Sequence, residues 1–244
     1  MYPEIQEFSN IDDYTSYNAR LIASHAQTAI EEKNYFTLVL SGGKTPNAIY
    51  RKLSTAPFGE QINWNRVYIF WGDERCVPPT ADESNFGMAT RHLLSRIDIP
   101  STNIFNMHGE KHPQNAAMEY EKQLQDFFEQ KEGAQPGLPA FDLTLLGMGT
   151  DGHAASLFPS SPSLEVTDKW IIPITPPTYA RPHTDRLSMT LPLLNNSKHM
   201  LMLISGAEKR KILQEIIKNN NEASQKYPAA RLTARESFIW SLLS

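Results

Sequence analysis

Strands alternating with helices predict an α/β protein built on a mostly parallel sheet with both faces covered. Three observations carry that expectation. Short apolar runs, rich in aromatic and β-branched residues, recur between segments of near-helical apolar spacing. Three of these runs, ending at Leu40, Trp71 and Leu146, open into polar loops that contain glycine. The length of 244 residues suits one α/β unit. A compact chain of this size hides roughly 70–75% of its unfolded surface, so its core needs no covalent staples. The expectation is one domain over residues 1–244.

The elements follow in order. Residues 11–33 space their apolar side chains as a helix does, with Asp12 and Asp13 at its start. Residues 35–40, YFTLVL, read as a buried strand, and Ser41-Gly42-Gly43-Lys44 as a turn. Thr45 then stands as an N-cap, with Pro46 at the first helical position and NAIYRKLS continuing the helix. Residues 67–71, VYIFW, form a second strand that runs into the polar loop GDERCVPPTADESN. Helices are expected at 86–96 and 113–131, and a third strand at 141–146. Further strand candidates lie at 170–174, 186–191 and 199–204, ahead of a helix at 207–218. The tail SFIWSLL fits a strand or a helix equally. The segments 133–140 and 176–185 are rich in proline and glycine or polar residues and read as surface loops.

Composition narrows the function. Hydrophobic residues make up 40% and charged ones 20%, as in an ordinary soluble globule. The net charge is −4, and Lys and Arg are thinly spread, so no nucleic-acid footprint is expected. An anionic ligand would need a local cluster of positive groups. The single cysteine, Cys76, fits a reducing compartment. The N-terminal residues lack a basic and then apolar leader pattern, and no stretch of about 18 apolar residues occurs. The expectation is a soluble, cytoplasmic protein with no membrane partner. The histidines at 25, 92, 108, 112, 153, 183 and 199 show no metal-ligand spacing on a helix, so no metal is expected. Without a G-x-S-x-G elbow, serine-hydrolase chemistry is not expected either.

In parallel sheets, ligands sit beyond the carboxyl ends of strands, which directs attention to the three loops. LLGMGTDGH contains a literal G-x-G-x-x-G. A dinucleotide turn needs its third glycine to open a crossover helix, yet Pro159 and Pro162 fall where that helix should run. The loop's chemistry lies instead in Asp151 and His153, because imidazole is the side chain best matched to proton transfer near neutral pH. The bland alternative makes Asp151 the cap of a short turn at 154–158 and His153 a partner for backbone. The Ser41-Gly42-Gly43 turn, aimed by a following helix, offers amides to an anion. It lacks the earlier glycine of a P-loop, since Leu38 holds that place, so one phosphate fits it better than a triphosphate. In the third loop Arg75 offers a planar, permanently charged fork, while Asp73-Glu74-Arg75 could equally be a solvated turn with an internal ion pair. Cys76 has no evident histidine partner and reads as a small buried residue.

Together, SGGKTP (41–46), WGDERCVP (71–78) with ESNFGMA (83–89), GMGTDGHAASLFP (147–159), DRLSMTLPLLN (185–195) and SGAEKRKIL (205–213) resemble the 6-phosphogluconolactonase family. The likeness runs from about residue 10 to 240, and GMGTDGHAASLFP is its most specific part. It implies a three-layer α/β/α, modified Rossmann-like fold, shared with the glucosamine-6-phosphate deaminases. It also implies hydrolysis of a sugar-phosphate lactone, 6-phosphogluconolactone, with no cofactor, by a monomer or weak homodimer. Under the resemblance His153 is the base, with Arg75, Asp73 and Asp151 as further catalytic candidates. Ser41, Gly42 and Gly43, followed by Lys44 and Thr45, bind the phosphate, and Arg186 and Lys209 contact phosphate or lactone. Lys44 stands where a small residue or Arg is expected, and the segment PPTYARPHTDR is longer than the usual loop. A deaminase or sugar-phosphate isomerase and a non-catalytic sugar-phosphate sensor are the rival readings. A deaminase needs a further acid soon after the histidine, and here none occurs until Glu165.

Overall fold

The computed structural model describes residues 3–134 and 137–244. Residues 135 and 136 of the expected 133–140 loop, and residues 1 and 2, lie outside the described residues. The elements run β1 (Glu4–Phe8), α1 (Ile11–Lys33), β2 (Phe36–Leu40), α2 (Lys44–Leu53), α3 (Phe58–Gln61), β3 (Val67–Trp71), β4 (Asp73–Arg75), α4 (Asn85–His92) and α5 (Pro113–Glu132). They continue with β5 (Leu143–Gly147), β6 (Ile171–Ile174), β7 (Arg186–Met189), α6 (Leu191–Asn195), β8 (His199–Ser205), α7 (Ala207–Lys218), α8 (Asn220–Lys226) and β9 (Ser237–Leu243).

Six strands form one sheet in the order β1-β9-β8-β5-β2-β3, and every neighbouring pair is parallel. All five residues of β2 are buried, as expected of a strand with both faces of its sheet covered. The flanking helices pack on this sheet in the α/β arrangement the sequence predicts. One continuous hydrophobic core joins them, with Phe70, Phe127, Phe128 and Phe141 in mutual edge or stacked contact.

Helix α1 begins where Asn10 accepts the Asp13 N–H at 2.8 Å, and it ends at Asn34 in the left-handed region (φ 65). The tail SFIWSLL is strand β9, since its apolar residues need cover on both faces between β1 and β8.

Four expectations are corrected. Helix α2 starts at Lys44 with Gly43 as its cap, so Thr45 lies inside the first turn, where its hydroxyl meets Ser205 Oγ at 3.0 Å. Gly43 holds φ 101, a conformation that costs glycine little and other residues much. The loop after β3 is not all loop, because Asp73–Arg75 pairs antiparallel with β7. The candidates at 170–174 and 186–191 do not extend the parallel sheet. They are β6 and β7, which form a separate antiparallel sheet in the order β4-β7-β6. Finally, residues 154–158 make two isolated bridges and no helical turn.

From β2 the chain crosses to β3 on one side, whereas from β5 it proceeds to β8 on the other. The boundary between β2 and β5 is therefore a topological switch point, the place where loops diverge and leave a crevice.

Candidate active site

A cleft of about 170 Å³ opens at that switch point. Its wall includes Ser41, Gly42, Gly43, Lys44 and Thr45 after β2, Asp73 and Arg75 after β3, and Gly147, Gly149 and His153 after β5. Arg186 of β7 and Lys209 of α7 complete it. Of the residues singled out in the sequence, only Asp151 does not line the cleft, and it stands directly behind His153.

The loop after β5 is built around the imidazole. Gly149 donates its N–H to His153 O at 2.9 Å, and Gly152 donates to Gly149 O at 3.1 Å. A Cβ on Gly149 would sit 2.2 Å from both Cε1 and Nδ1 of His153, so glycine is required for the ring to fold back over the turn. Gly152 holds φ 80 and faces the Tyr227 ring, which a Cβ would meet at 2.4 Å. Within this turn Asp151 Oδ1 accepts from the His153 N–H at 3.1 Å and meets Nδ1 at 2.6 Å. Its other oxygen accepts from Tyr179 Oη at 3.1 Å. Burial alone would push the Asp151 carboxyl up, but the hydrogen bonds and charge of His153, with Tyr179, carry it down to about 2. Asp151 is a carboxylate at any working pH, so Nδ1 is the nitrogen that carries the proton between them. In the neutral ring Nε2 then keeps its lone pair. The His153 side chain is 26% exposed, so solvent reaches it.

The Ser-Gly-Gly turn differs in one respect from the expected cradle. The Ser41 N–H donates to Tyr50 Oη at 3.0 Å, and that hydroxyl donates back to Ser41 O at 2.8 Å. The Ser41 hydroxyl donates to Gly42 O at 3.3 Å, and the Ser41 backbone N–H is not among the donors open to a ligand. The N–H groups of Gly42, Gly43, Lys44 and Thr45 have no protein partner among the described residues. They face the cleft at the start of α2, where helix geometry leaves donors unsatisfied and favours an anion. Gly42 is held against Asn85, whose side chain a Cβ at residue 42 would strike at 1.9 Å.

Arg75 and Arg186 are directly opposed in the β4–β7 register. Like charges placed so are unfavourable unless something negative lies between or beside them. The Nη1 of Arg75 donates to Glu83 O at 2.6 Å, and Nη2 of Arg186 donates to Pro182 O at 3.0 Å. Both Nε atoms are buried without a partner. Burial pulls Arg186 down from its usual value and Asp73 opposes this; the guanidinium stays charged over the Phe158 ring, 5.5 Å from its centroid. Lys209 makes no ion pair among the described residues, and burial lowers its pKa. Buried donors in this state fit a cleft that receives an anion.

Asp73 is 6% exposed and fixed on both oxygens, by Ser156 Oγ at 2.7 Å and Asn85 Nδ2 at 3.3 Å. The expected ion pair within Asp73-Glu74-Arg75 does not form. Glu74 is buried and accepts the N–H groups of Arg75, Asn85 and Phe86, each at 2.7 Å. Burial, with Asp185 and Glu74 nearby, pushes the Cys76 thiol up to about 11, so it is a poor nucleophile at neutral pH. Among the described residues no group of three or more His, Cys, Asp or Glu side chains could hold a metal ion. Tyr50, Asn85, Ser156, Tyr179 and Tyr227 shape the site but escaped the sequence reading. Each lies outside the glycine-bearing loops or looks like core or surface in its own segment.

The family model of glucosamine-6-phosphate isomerases and 6-phosphogluconolactonase matches residues 9–240. The chain belongs to this family. A 6-phosphogluconolactonase of Synechocystis sp. is 36% identical over 222 residues, 91% of this chain and 87% of that protein. A solved 6-phosphogluconolactonase of Thermotoga maritima superposes with a TM-score of 0.85 at 30% identity, covering 100% of both chains. A monomeric glucosamine-6-phosphate deaminase matches with a TM-score of 0.79 at 21% identity, which shows that it shares the fold. Among the described residues no helix is long and apolar enough to cross a membrane.

Proposed function

We propose that the chain hydrolyses 6-phospho-D-glucono-1,5-lactone to 6-phospho-D-gluconate, the second step of the oxidative pentose phosphate pathway. The observation that carries this is His153, backed by Asp151, in the same cleft as four free amides and two arginines with orphaned Nε donors. In this reading the phosphate rests on the amides of Gly42, Gly43, Lys44 and Thr45, assisted by Lys209. His153 Nε2 takes a proton from water as the water attacks C1. The carbonyl oxygen becomes an oxyanion beside Arg75 and Arg186, whose charge favours the transition state over the neutral lactone. The C1–O5 bond then breaks, and the imidazolium returns its proton to the leaving ring oxygen. Asp73 holds Ser156 and Asn85 in place and takes no proton. Anchoring the phosphate supplies the orientation.

Hydrolysis suits this site better than deamination, since no proton has to move between two carbons. The first acid after His153, Glu165, is 2.7 Å from Arg231 and does not line the cleft. The reading takes residues 1–244 as one catalytic domain, cytoplasmic, monomeric or weakly dimeric, with no cofactor in the reaction. His153→Ala should lose about 10²–10⁴ in rate while the fold survives. Release of 6-phosphogluconate in a coupled assay, with spontaneous opening subtracted, measures that loss. Full activity in the variant, or ammonia release from glucosamine 6-phosphate by the wild type, defeats the reading.

A further inference from the structure

We propose that Tyr179, on the loop between β6 and β7, is a positioning residue that acts on His153 by holding the outer oxygen of Asp151. This rests on the reading of His153 as the base. Tyr179 is 56% exposed, so burial does not explain its place. Its hydroxyl nevertheless donates to Asp151 Oδ2 at 3.1 Å, while Oδ1 of the same carboxylate is taken by the His153 N–H and Nδ1. The loop is folded to deliver it. Arg181 Nη1 donates to Thr178 O at 2.8 Å and Ala180 O at 2.9 Å, and Pro182 O receives Arg186 Nη2 at 3.0 Å. The segment bearing Tyr179 is thus tied to an arginine of the cleft on one side and to the dyad on the other.

The sign follows from charge. A carboxylate favours the charged form of an imidazole beside it. A phenol hydrogen-bonded to that carboxylate draws off part of its charge and weakens the effect. Removing the hydroxyl restores the full pull of the carboxylate on the imidazolium form. The other charged groups of the cleft are Lys44 on α2, Arg186 on β7, Arg75 and Asp73 on β4, and Lys209 on α7. Below the loop Tyr227 packs on Gly152 and donates its hydroxyl to Glu215 at 2.7 Å. None of these bonds Asp151 Oδ2, and all are unchanged when Tyr179 loses its hydroxyl.

Tyr179→Phe keeps the ring and, at so exposed a position, the fold. The test is kcat/KM against pH for wild type, Tyr179→Phe and His153→Ala, beside an NMR titration of the His153 ring in the free wild type and Tyr179→Phe. In Tyr179→Phe the acid limb and the imidazole titration should both move to higher pH. An unmoved limb, whether the rate or KM changes or not, reduces Tyr179 to a loop anchor and overturns the proposal, as does a shift to lower pH. Should His153→Ala keep full activity, the base assignment itself fails. An inactive His153→Ala with an unmoved Tyr179→Phe limb defeats the tyrosine's role alone.

Discussion

At the scale of single residues, the two glycines flanking Asp151 separate chemistry from stability. The Cβ of Gly149→Ala would intrude on His153 Nδ1 at 2.2 Å and on Asp151 Oδ1 at 2.6 Å, both side-chain atoms that can swing away. The fold should therefore tolerate the change while the dyad does not. A displacement near 1 Å costs about 100-fold in rate, so kcat should fall by that order with the urea midpoint little moved. Gly152→Ala meets a different neighbour. Its backbone sits at φ 80, and the Cβ would press on the Tyr227 ring at 2.4–2.9 Å, where Tyr227 is 6% exposed and tied to Glu215. Strain and overpacking together should cost about 2–4 kcal/mol, read as a lower urea midpoint. If both variants lose stability equally and keep their rates, the division of labour between the glycines is wrong. The failure of the dinucleotide reading at Pro159 and Pro162 was legible in the sequence. What Gly152 approaches was not, because Tyr227 lies 75 positions further along the chain.

At the scale of elements, β4 and α4 form the frame that holds Arg75, and Glu74 is its joint. One carboxylate oxygen accepts the N–H groups of Arg75 and Asn85, and the other accepts the Phe86 N–H and the Ser84 hydroxyl at 3.2 Å. It thus caps the amino end of α4 while fixing the backbone of the arginine. Burial pushes the Glu74 carboxyl up, and the three N–H groups pull it down. Glu74→Gln must turn an NH2 group toward one of those donor sets. The expected cost is about 2–4 kcal/mol, as for breaking a buried charge-assisted network, with kcat/KM falling as Arg75 loosens. Denaturant unfolding and steady-state rates check the two effects, and a variant as stable as wild type would show that the carboxylate is not the joint. Long periodic segments such as α1 and α5, and the runs that became β2, β3 and β5, were plain in the sequence. Strand β4 was not, since three residues are too few for alternation to register and its partner β7 lies over 100 positions away. The same distance hid the opposition of Arg75 to Arg186. The wrong cap at Thr45 has a simpler cause: a hydroxyl beside proline is the usual signal, but Gly43 reaches the needed conformation two positions earlier.

At the scale of the whole molecule, the two ends of the sheet do different work. The carboxyl ends of β2, β3, β5 and β8 carry the cleft, whereas the opposite ends carry a structural cluster. There Asp142 is 3% exposed, with Lys33 at 2.9 Å, Lys198 at 3.1 Å and the Thr37 N–H at 2.9 Å. Beside it His25 stacks on His199, with ring centroids 4.2 Å apart. Burial, and then the neighbouring His199, lowers His25 to about 4 against the pull of Asp142. His25 is therefore neutral in the folded chain at pH values where an unfolded chain protonates it. Its contribution to stability is intact above about pH 6.5 and is lost as pH falls toward 4, because unfolding then takes up a proton. Burial lowers His199 as well, so the two rings act in the same direction. Between pH 7.5 and 5.0 unfolding free energy should drop by about 1–2 kcal/mol on account of His25, well before Asp151, near 2, begins to protonate. His25→Phe keeps an aromatic ring against His199 and removes this proton uptake. Its urea midpoint should depend less on pH over that range by the same amount, with lactonase activity at pH 7.5 unchanged. Equal pH slopes for the two proteins would mean that His25 titrates alike in the folded and unfolded chains. Reduced activity in the variant would mean that the two ends of the sheet are coupled, contrary to the separation the strand order implies.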